Sequence, residues 1–322
     1  MKKRIIAVAI AAVAAFAEWG GNGNDGDFSG LETRTLQSEI EYSEKIADLN
    51  YVGDGEVFHT LDIYLPKEVK ESYPVVIHIY GSAWSKNNSK DSADLNTICA
   101  ALLKAGYAVV TPNHRSSSDA VFPAQLHDIK AVVRFLRGNA DKYKIDTSFI
   151  AMSGFSSGGH LSSLMATTCE MSEGKSGSVT VDLNGNLGEW KSSSSCISAA
   201  SLWAPPTDLY AMDPIGNSDS GVGTFEGAFI GAERDGNRDK WMVASSPYYA
   251  SEKSSPVILF HGTADPIVNQ EQSRELYESL KRHSVVTEMV TVQDGKHGGN
   301  EMFVESNLQK MVQFFDAARA KM

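Results

Sequence analysis

Apolar residues recur along this chain in two rhythms that alternate. The run Pro74-Val75-Val76-Ile77-His78-Ile79 is almost continuously apolar, as in a strand covered on both faces. Residues 59–65 alternate in the manner of a half-buried strand, and residues 47–52 read as a neighbouring one. Further strand-like runs lie at 107–111, 149–152, 197–202, 257–260 and 286–292. Between them, helical spacing predicts helices over 92–104, 123–139, 161–166, 270–282 and 301–320. Strands that alternate with helices predict an α/β fold, a mostly parallel, doubly wound sheet with helices on both faces. No repeat of solenoid length and no internal linker interrupts residues 39–322, so they are expected to form one domain. Residues 205–239, rich in Gly, Asp and Asn, are expected to be an irregular surface segment.

The start of the chain breaks the pattern. Lys2-Lys3-Arg4, an apolar run over residues 5–17 and the small-residue site Ala15-Phe16-Ala17 read as a secretory signal, too short to span a bilayer. With no cysteine just after it to carry a lipid, the expected product is exported and soluble, periplasmic or secreted. Residues 18–38 read as a flexible tether. They contain Gly21-Asn22-Gly23-Asn24-Asp25-Gly26, which fits a dinucleotide fingerprint in letters but lacks the preceding strand and following helix.

Loss of the three basic residues would take the formal charge from −11 to −14, leaving no basic footprint for nucleic acid or an anionic membrane. At 42% hydrophobic residues the chain can bury a sizeable core. Three cysteines show no metal spacing. Cys99 sits in a helical apolar pattern, as a buried small hydrophobe would. Cys169 and Cys196 bracket a Gly/Ser-rich insertion, and a bridge between them or two separate thiols are both open.

One stretch carries chemistry. Gly154-Phe155-Ser156-Ser157-Gly158 follows the strand at 149–152 and precedes the helix at 161–166, and no other GxSxG occurs. A serine at the apex of a sharp strand-to-helix turn needs glycines where a Cβ would strike neighbouring backbone. The helix then aims unpaired N–H groups, that of Ser157 included, at a developing oxyanion. A serine nucleophile needs a base, and the base an orienting carboxylate, in the order Ser, acid, His on loops at the carboxyl ends of strands.

Four histidines follow Ser156. His160 is expected below the nucleophile, His261 as a support for its neighbouring loop and His283 in solvent. His297, in Asp294-Gly295-Lys296-His297-Gly298-Gly299, lies in a glycine-rich loop after the last strand and is the candidate base. Asp265 directly follows the penultimate strand and is the candidate acid; Asp208 comes one strand too early and Asp294 is too close in sequence to His297. Gly81, Ser82 and Ser157 are candidate oxyanion donors through their backbones. Trp84, a residue type more often used for packing, and Tyr210 are candidates for substrate contact. No metal or cofactor is required.

With these pieces placed, the chain resembles the α/β-hydrolases, within them the bacterial carboxylesterases related to hormone-sensitive lipase and to acetyl and feruloyl esterases of plant polysaccharides. The resemblance runs from about Tyr64 to the C-terminus through Tyr80 to Trp84, Asn113-His114-Arg115, Phe122-Pro123-Ala124-Gln125, the GxSxG turn, Pro206-Thr207-Asp208, the His261 to Pro266 segment and the His297 loop. It implies a Ser156, Asp265, His297 triad and release of a short acyl group, acetyl first, from a small-molecule or oligosaccharide ester. The group usually has a histidine and glycines in the oxyanion loop, where this chain has Tyr80-Gly81-Ser82-Ala83; that departure bears on acyl and leaving-group preference. A feruloyl esterase remains an alternative. A prolyl-oligopeptidase-type peptidase would share sheet and triad but also needs a propeller domain that is missing here. A binding protein on a hydrolase scaffold has no reason to keep all three groups.

Overall fold

The computed structural model describes residues 40–92, 94–213 and 223–322, so the expected signal and tether, and part of the 205–239 segment, lie outside the described residues. Among these, ten strands are formed: β1 Glu44–Asn50, β2 Thr60–Leu65, β3 Tyr73–Ile79, β4 Ala108–Pro112, β5 Ile145–Phe155, β6 Glu173–Ser176, β7 Val179–Asp182, β8 Ala200–Trp203, β9 Val257–Gly262 and β10 Thr287–Val292. Eight build the central sheet in the order β1-β2-β4-β3-β5-β8-β9-β10. From β4 to β10 all neighbours are parallel; β1 and β2 join antiparallel at one edge. This is the α/β sheet expected from the alternation of strands and helices, and the α/β-hydrolase fold that the resemblance implies.

The helices are α1 Ala100–Lys104, α2 Ala124–Gly138, α3 Ala140–Tyr143, α4 Ser157–Thr167, α5 Phe225–Ile230, α6 Arg238–Met242, α7 Glu271–Arg282 and α8 Glu305–Arg319. Alternate residues of the central strands feed two cores. Val75, Ile77 and Ile79 of β3, Ile150 and Met152 of β5 and Val257 and Leu259 of β9 pack with α2, α4 and α7. Val76, Phe149, Ala151, Ile258 and Phe260 point the other way and pack with Leu102 and Leu103 of α1 and Leu308, Met311 and Phe315 of α8. Burial on both faces is why these strands read as continuous apolar runs instead of alternating ones.

Several elements differ from expectation. The helix predicted over 92–104 begins as a π-helical turn, Leu95–Cys99, before α1. Its cap residue Asp94 is left-handed, and its carboxylate lies 2.9 Å from buried His78 Nε2 instead of capping the helix. β1 starts ahead of the predicted 47–52 run, and a bulge between Ile46 and Leu49 turns the Asp48 N–H onto Asp62. The Gly/Ser-rich insertion holds the hairpin β6–β7, whose four-residue strands are too short for a period to show. Cys169 and Cys196 are joined in a disulfide, one of the two arrangements left open, and Cys99 is buried as a thiol. The described parts of 205–239 are irregular as expected except for the short helix α5 and the first residues of α6.

Candidate active site

β5 runs straight into the nucleophile turn. Ser156 has φ 52° and ψ −122°, a strained conformation for a residue with a Cβ, and α4 begins at the next residue. The Ser156 N–H is held by the carbonyl of Trp203 at 2.8 Å, and its carbonyl accepts the N–H of His160 at 3.0 Å. The flanking glycines are sterically required: a Cβ on Gly154 would stand 2.2 Å from the Gly158 carbonyl oxygen, and one on Gly158 2.2 Å from that of Ile79.

The loops after β9 and β10 supply the other two groups. A Cβ on Gly262 would lie 2.0 Å from the Gly295 carbonyl oxygen, so only glycine lets these loops press together. The Ala264 N–H donates to that carbonyl at 3.0 Å and the Asp294 N–H to Thr263 Oγ1 at 2.8 Å. His297 Nδ1 then lies 2.7 Å from Asp265 Oδ2, and His297 Nε2 lies 3.0 Å from Ser156 Oγ. The residues singled out as nucleophile, base and acid thus meet in one chain of hydrogen bonds.

The protons in this chain can be assigned from its partners. Asp265 Oδ1 accepts the N–H groups of Ile267 and Val268, each at 2.9 Å. Burial alone would push this carboxyl up, but the charge of His297 and the donors of His261 and His297 outweigh it and hold it well below the usual carboxylate range. A carboxylate facing Nδ1 makes Nδ1 the proton-bearing nitrogen, which leaves the Nε2 lone pair for the Ser156 hydroxyl. His261 supports the acid: its Nε2 donates to Val268 O at 2.8 Å and lies 3.4 Å from Asp265 Oδ2, while Nδ1 accepts from Ser273 Oγ at 2.6 Å. Asp208 instead ties its own turn, accepting the N–H groups of Tyr210 and Ala211.

The loop after β3 lies beside the turn because Ile79 pairs with Gly154. A Cβ on Gly81 would meet the Phe155 ring at 2.7 Å and Ser156 Cβ at 2.9 Å. The Ser82 N–H is already engaged, donating to Ser157 Oγ at 2.9 Å, which sets it apart from the first-turn N–H of Ser157 itself. Trp84 needs correction as a substrate contact. It is 1% exposed, its ring stacked on Phe229 and its Nε1–H donating to His160, so no ring face is open to a ligand. Tyr210 is half-buried on the turn after β8 with the Arg238 guanidinium 5.5 Å over its ring. Phe155, whose ring centroid lies 4.9 Å from that of His297, was missed. The variable position of a five-letter motif gives no signal for such a contact.

Sheet, strained serine turn and converging loops define an α/β-hydrolase. Residues 61–280 match the family profile described as BD-FAE, and the chain belongs to that family. A truncated form of a carbohydrate esterase from gut microbiota superposes with a TM-score of 0.84 at 38% identity, over 88% of this chain and 99% of that one. A bifunctional GH43-CE protein of Bacteroides eggerthii gives a TM-score of 0.81 at 42% identity, over 85% of this chain and 35% of its own. Esterase LipQ of Mycobacterium tuberculosis is 25% identical over 249 residues, 76% of this chain and 55% of its own length. The chain thus spans about half the length of such curated relatives.

Proposed function

We propose that this protein is a serine carboxylic-ester hydrolase that releases short acyl groups, acetyl first, from carbohydrate esters. The observation that carries the reading is the continuous line from Asp265 through His297 to the Oγ of a conformationally strained serine. Ser156 Oγ attacks the ester carbonyl as its proton passes to His297 Nε2. The oxyanion that forms is met by backbone N–H groups of Ser157 and the Gly81 loop. Collapse expels the alkoxide, which takes the proton from Nε2; water then attacks the acyl-enzyme with the same imidazole as base, and the second collapse breaks the Oγ–acyl bond, releases the carboxylic acid and returns the proton from Nε2 to Ser156 Oγ. Asp265 stays ionised throughout and balances the imidazolium.

The carbohydrate part of the reading is supported by what surrounds these groups. The described parts of the 205–239 segment turn Phe229 and Ile230 inward and leave Glu233 and Asp235 exposed, a poor surface for lipid. Two solved relatives above 30% identity are described as a carbohydrate esterase and a GH43-CE protein. We further infer export, for which the basic-then-apolar start and the Cys169–Cys196 bridge both speak, since such bridges persist in oxidising compartments. N-terminal sequencing of the exported protein should find cleavage near Ala17.

A panel of acetyl, butyryl, octanoyl and feruloyl esters tests the activity. Acetyl should exceed octanoyl by at least ~10-fold in kcat/KM, about 1.4 kcal/mol at the transition state, with acetate released from acetylated xylan fragments. Better turnover of octanoyl esters and no acetate from the glycan would remove the carbohydrate reading. Ser156→Ala or His297→Ala should each lower turnover at least ~10³-fold, and Asp265→Asn somewhat less.

A further inference from the structure

A buried pair outside the triad ties the nucleophile turn to the loop after β3. His160 is fully buried, and its Nε2 lies 2.8 Å from the carbonyl oxygen of Ala244, which can only accept. The proton therefore sits on Nε2, and Nδ1 presents a lone pair. Trp84 Nε1–H donates to that lone pair at 3.2 Å. The link exists only for the neutral imidazole, and burial, opposed by the bond to Ala244, pushes the His160 pKa down to about 4.

The loop on the far side of this bond needs holding. Ala83 and Trp84 adopt φ 49° and 56°, a left-handed pair without glycine, costing about 1 kcal/mol or more per residue. Two rings fix the tryptophan: Phe229 stacks on it at 4.7 Å, and His160 stands edge-on to both, at 5.2 Å from Trp84 and 5.4 Å from Phe229. Ser117 secures its backbone, donating its N–H to Trp84 O at 2.8 Å. His160 meanwhile bonds through its own N–H to the Ser156 carbonyl. One residue thus joins the serine that attacks to the loop whose N–H groups face the product of attack.

We infer that His160 and Trp84 are positioning residues which set the oxyanion loop at a fixed distance from Ser156, through the Trp84 Nε1–H to His160 Nδ1 hydrogen bond. This rests on the proposed ester hydrolysis at Ser156. Neither side chain touches substrate. What they control is the placement of backbone donors that matter most when charge reaches the carbonyl oxygen, so their loss should appear in kcat more than in KM.

Trp84→Phe keeps the stack on Phe229 and deletes only the donor. His160→Leu deletes the acceptor, whereas His160→Asn returns an acceptor near the position of Nδ1. On an acetyl ester, Trp84→Phe and His160→Leu should each lower kcat about tenfold with KM within about twofold, and the double variant should be no worse than the poorer single one. His160→Asn should recover most of the loss. Affinity for an alkylboronic acid, whose tetrahedral adduct needs the same donors, should fall by the same factor as kcat. Should His160→Leu fail to fold, Trp84→Phe and His160→Asn still decide the matter. A folded Trp84→Phe protein with wild-type kcat and boronate affinity, even if its Tm is lower, overturns the inference while an inactive Ser156→Ala leaves the esterase reading intact. Turnover surviving in Ser156→Ala overturns both.

Discussion

At the scale of single residues, what was legible was local. The strand, turn and helix around Ser156 lie within about twenty positions, so the motif and its flanks could be read together, and the two glycines are now seen to be required by contacts of 2.2 Å. Asp265 and His297 could be placed by chain order because each follows a strand. Trp84 could not be read, since its partner His160 is 76 positions away and a tryptophan carries the same letter whether it faces a sugar or a core. The engagement of the Ser82 N–H by Ser157 Oγ was hidden for the same reason. Gly262 is as exacting as the two glycines of the serine turn. Gly262→Ala would put a methyl group 2.0 Å from the Gly295 carbonyl oxygen and force the acid and base loops apart. Displacements of about 1 Å at such a site cost on the order of 10²-fold in rate, and overpacking on the order of 1–3 kcal/mol in stability. Steady-state kinetics and a melting curve on this variant should show both losses; an active variant with unchanged Tm would mean the loops do not need this contact.

At the scale of elements, α2 shows where charge misleads. Its His127, Lys130, Arg134 and Arg137 look like a solvated face, yet Lys130 and Arg134 are buried. They dock the disulfide-bounded segment, with Lys130 Nζ donating to Thr168 O at 3.1 Å, Arg134 Nη2 to Asn184 O at 2.8 Å and Arg137 Nη2 to Cys196 O at 3.0 Å. Carbonyl groups neutralise no charge. Burial, with the neighbouring Arg134, accordingly pulls the Lys130 pKa down to about 8. The unfolded chain therefore binds more protons than the folded one between about pH 8 and 10.5, and stability rises with pH across that window. Below it, charged Lys130 costs on the order of 3 kcal/mol, against about 1 kcal/mol returned by its hydrogen bond. Lys130→Met should be more stable than the parent at pH 7 by about 1–2 kcal/mol and should lose that advantage near pH 10. Urea melts at both pH values measure it, and a variant destabilised at pH 7 would contradict the charge argument.

At the scale of the whole molecule, the alternation of strands and helices was enough for the fold, but not for the strand order. Nothing local says that β4 lies between β2 and β3, or that β2 alone runs against the rest; those follow from which edges are covered once the chain is wound. The sheet then fixes how the protein should respond to acid. Despite burial, Asp62 of β2 is held low by Lys45 and Lys90, and Asp265 by His297 and His261. Such carboxylates contribute stability that is fully present above their unfolded value of about 4 and disappears as pH falls toward the folded one. Tm should therefore drop steeply below pH 4. Asp265→Asn tests the share of one residue: the variant should melt below the parent at pH 5, because His297 and His261 lose a charged partner, and the gap should close as acid protonates the parent carboxyl. A gap that stays constant down to about pH 2.5 would mean that the ionised form of Asp265 is not what stabilises this corner of the fold, and that the two histidines are held by packing alone.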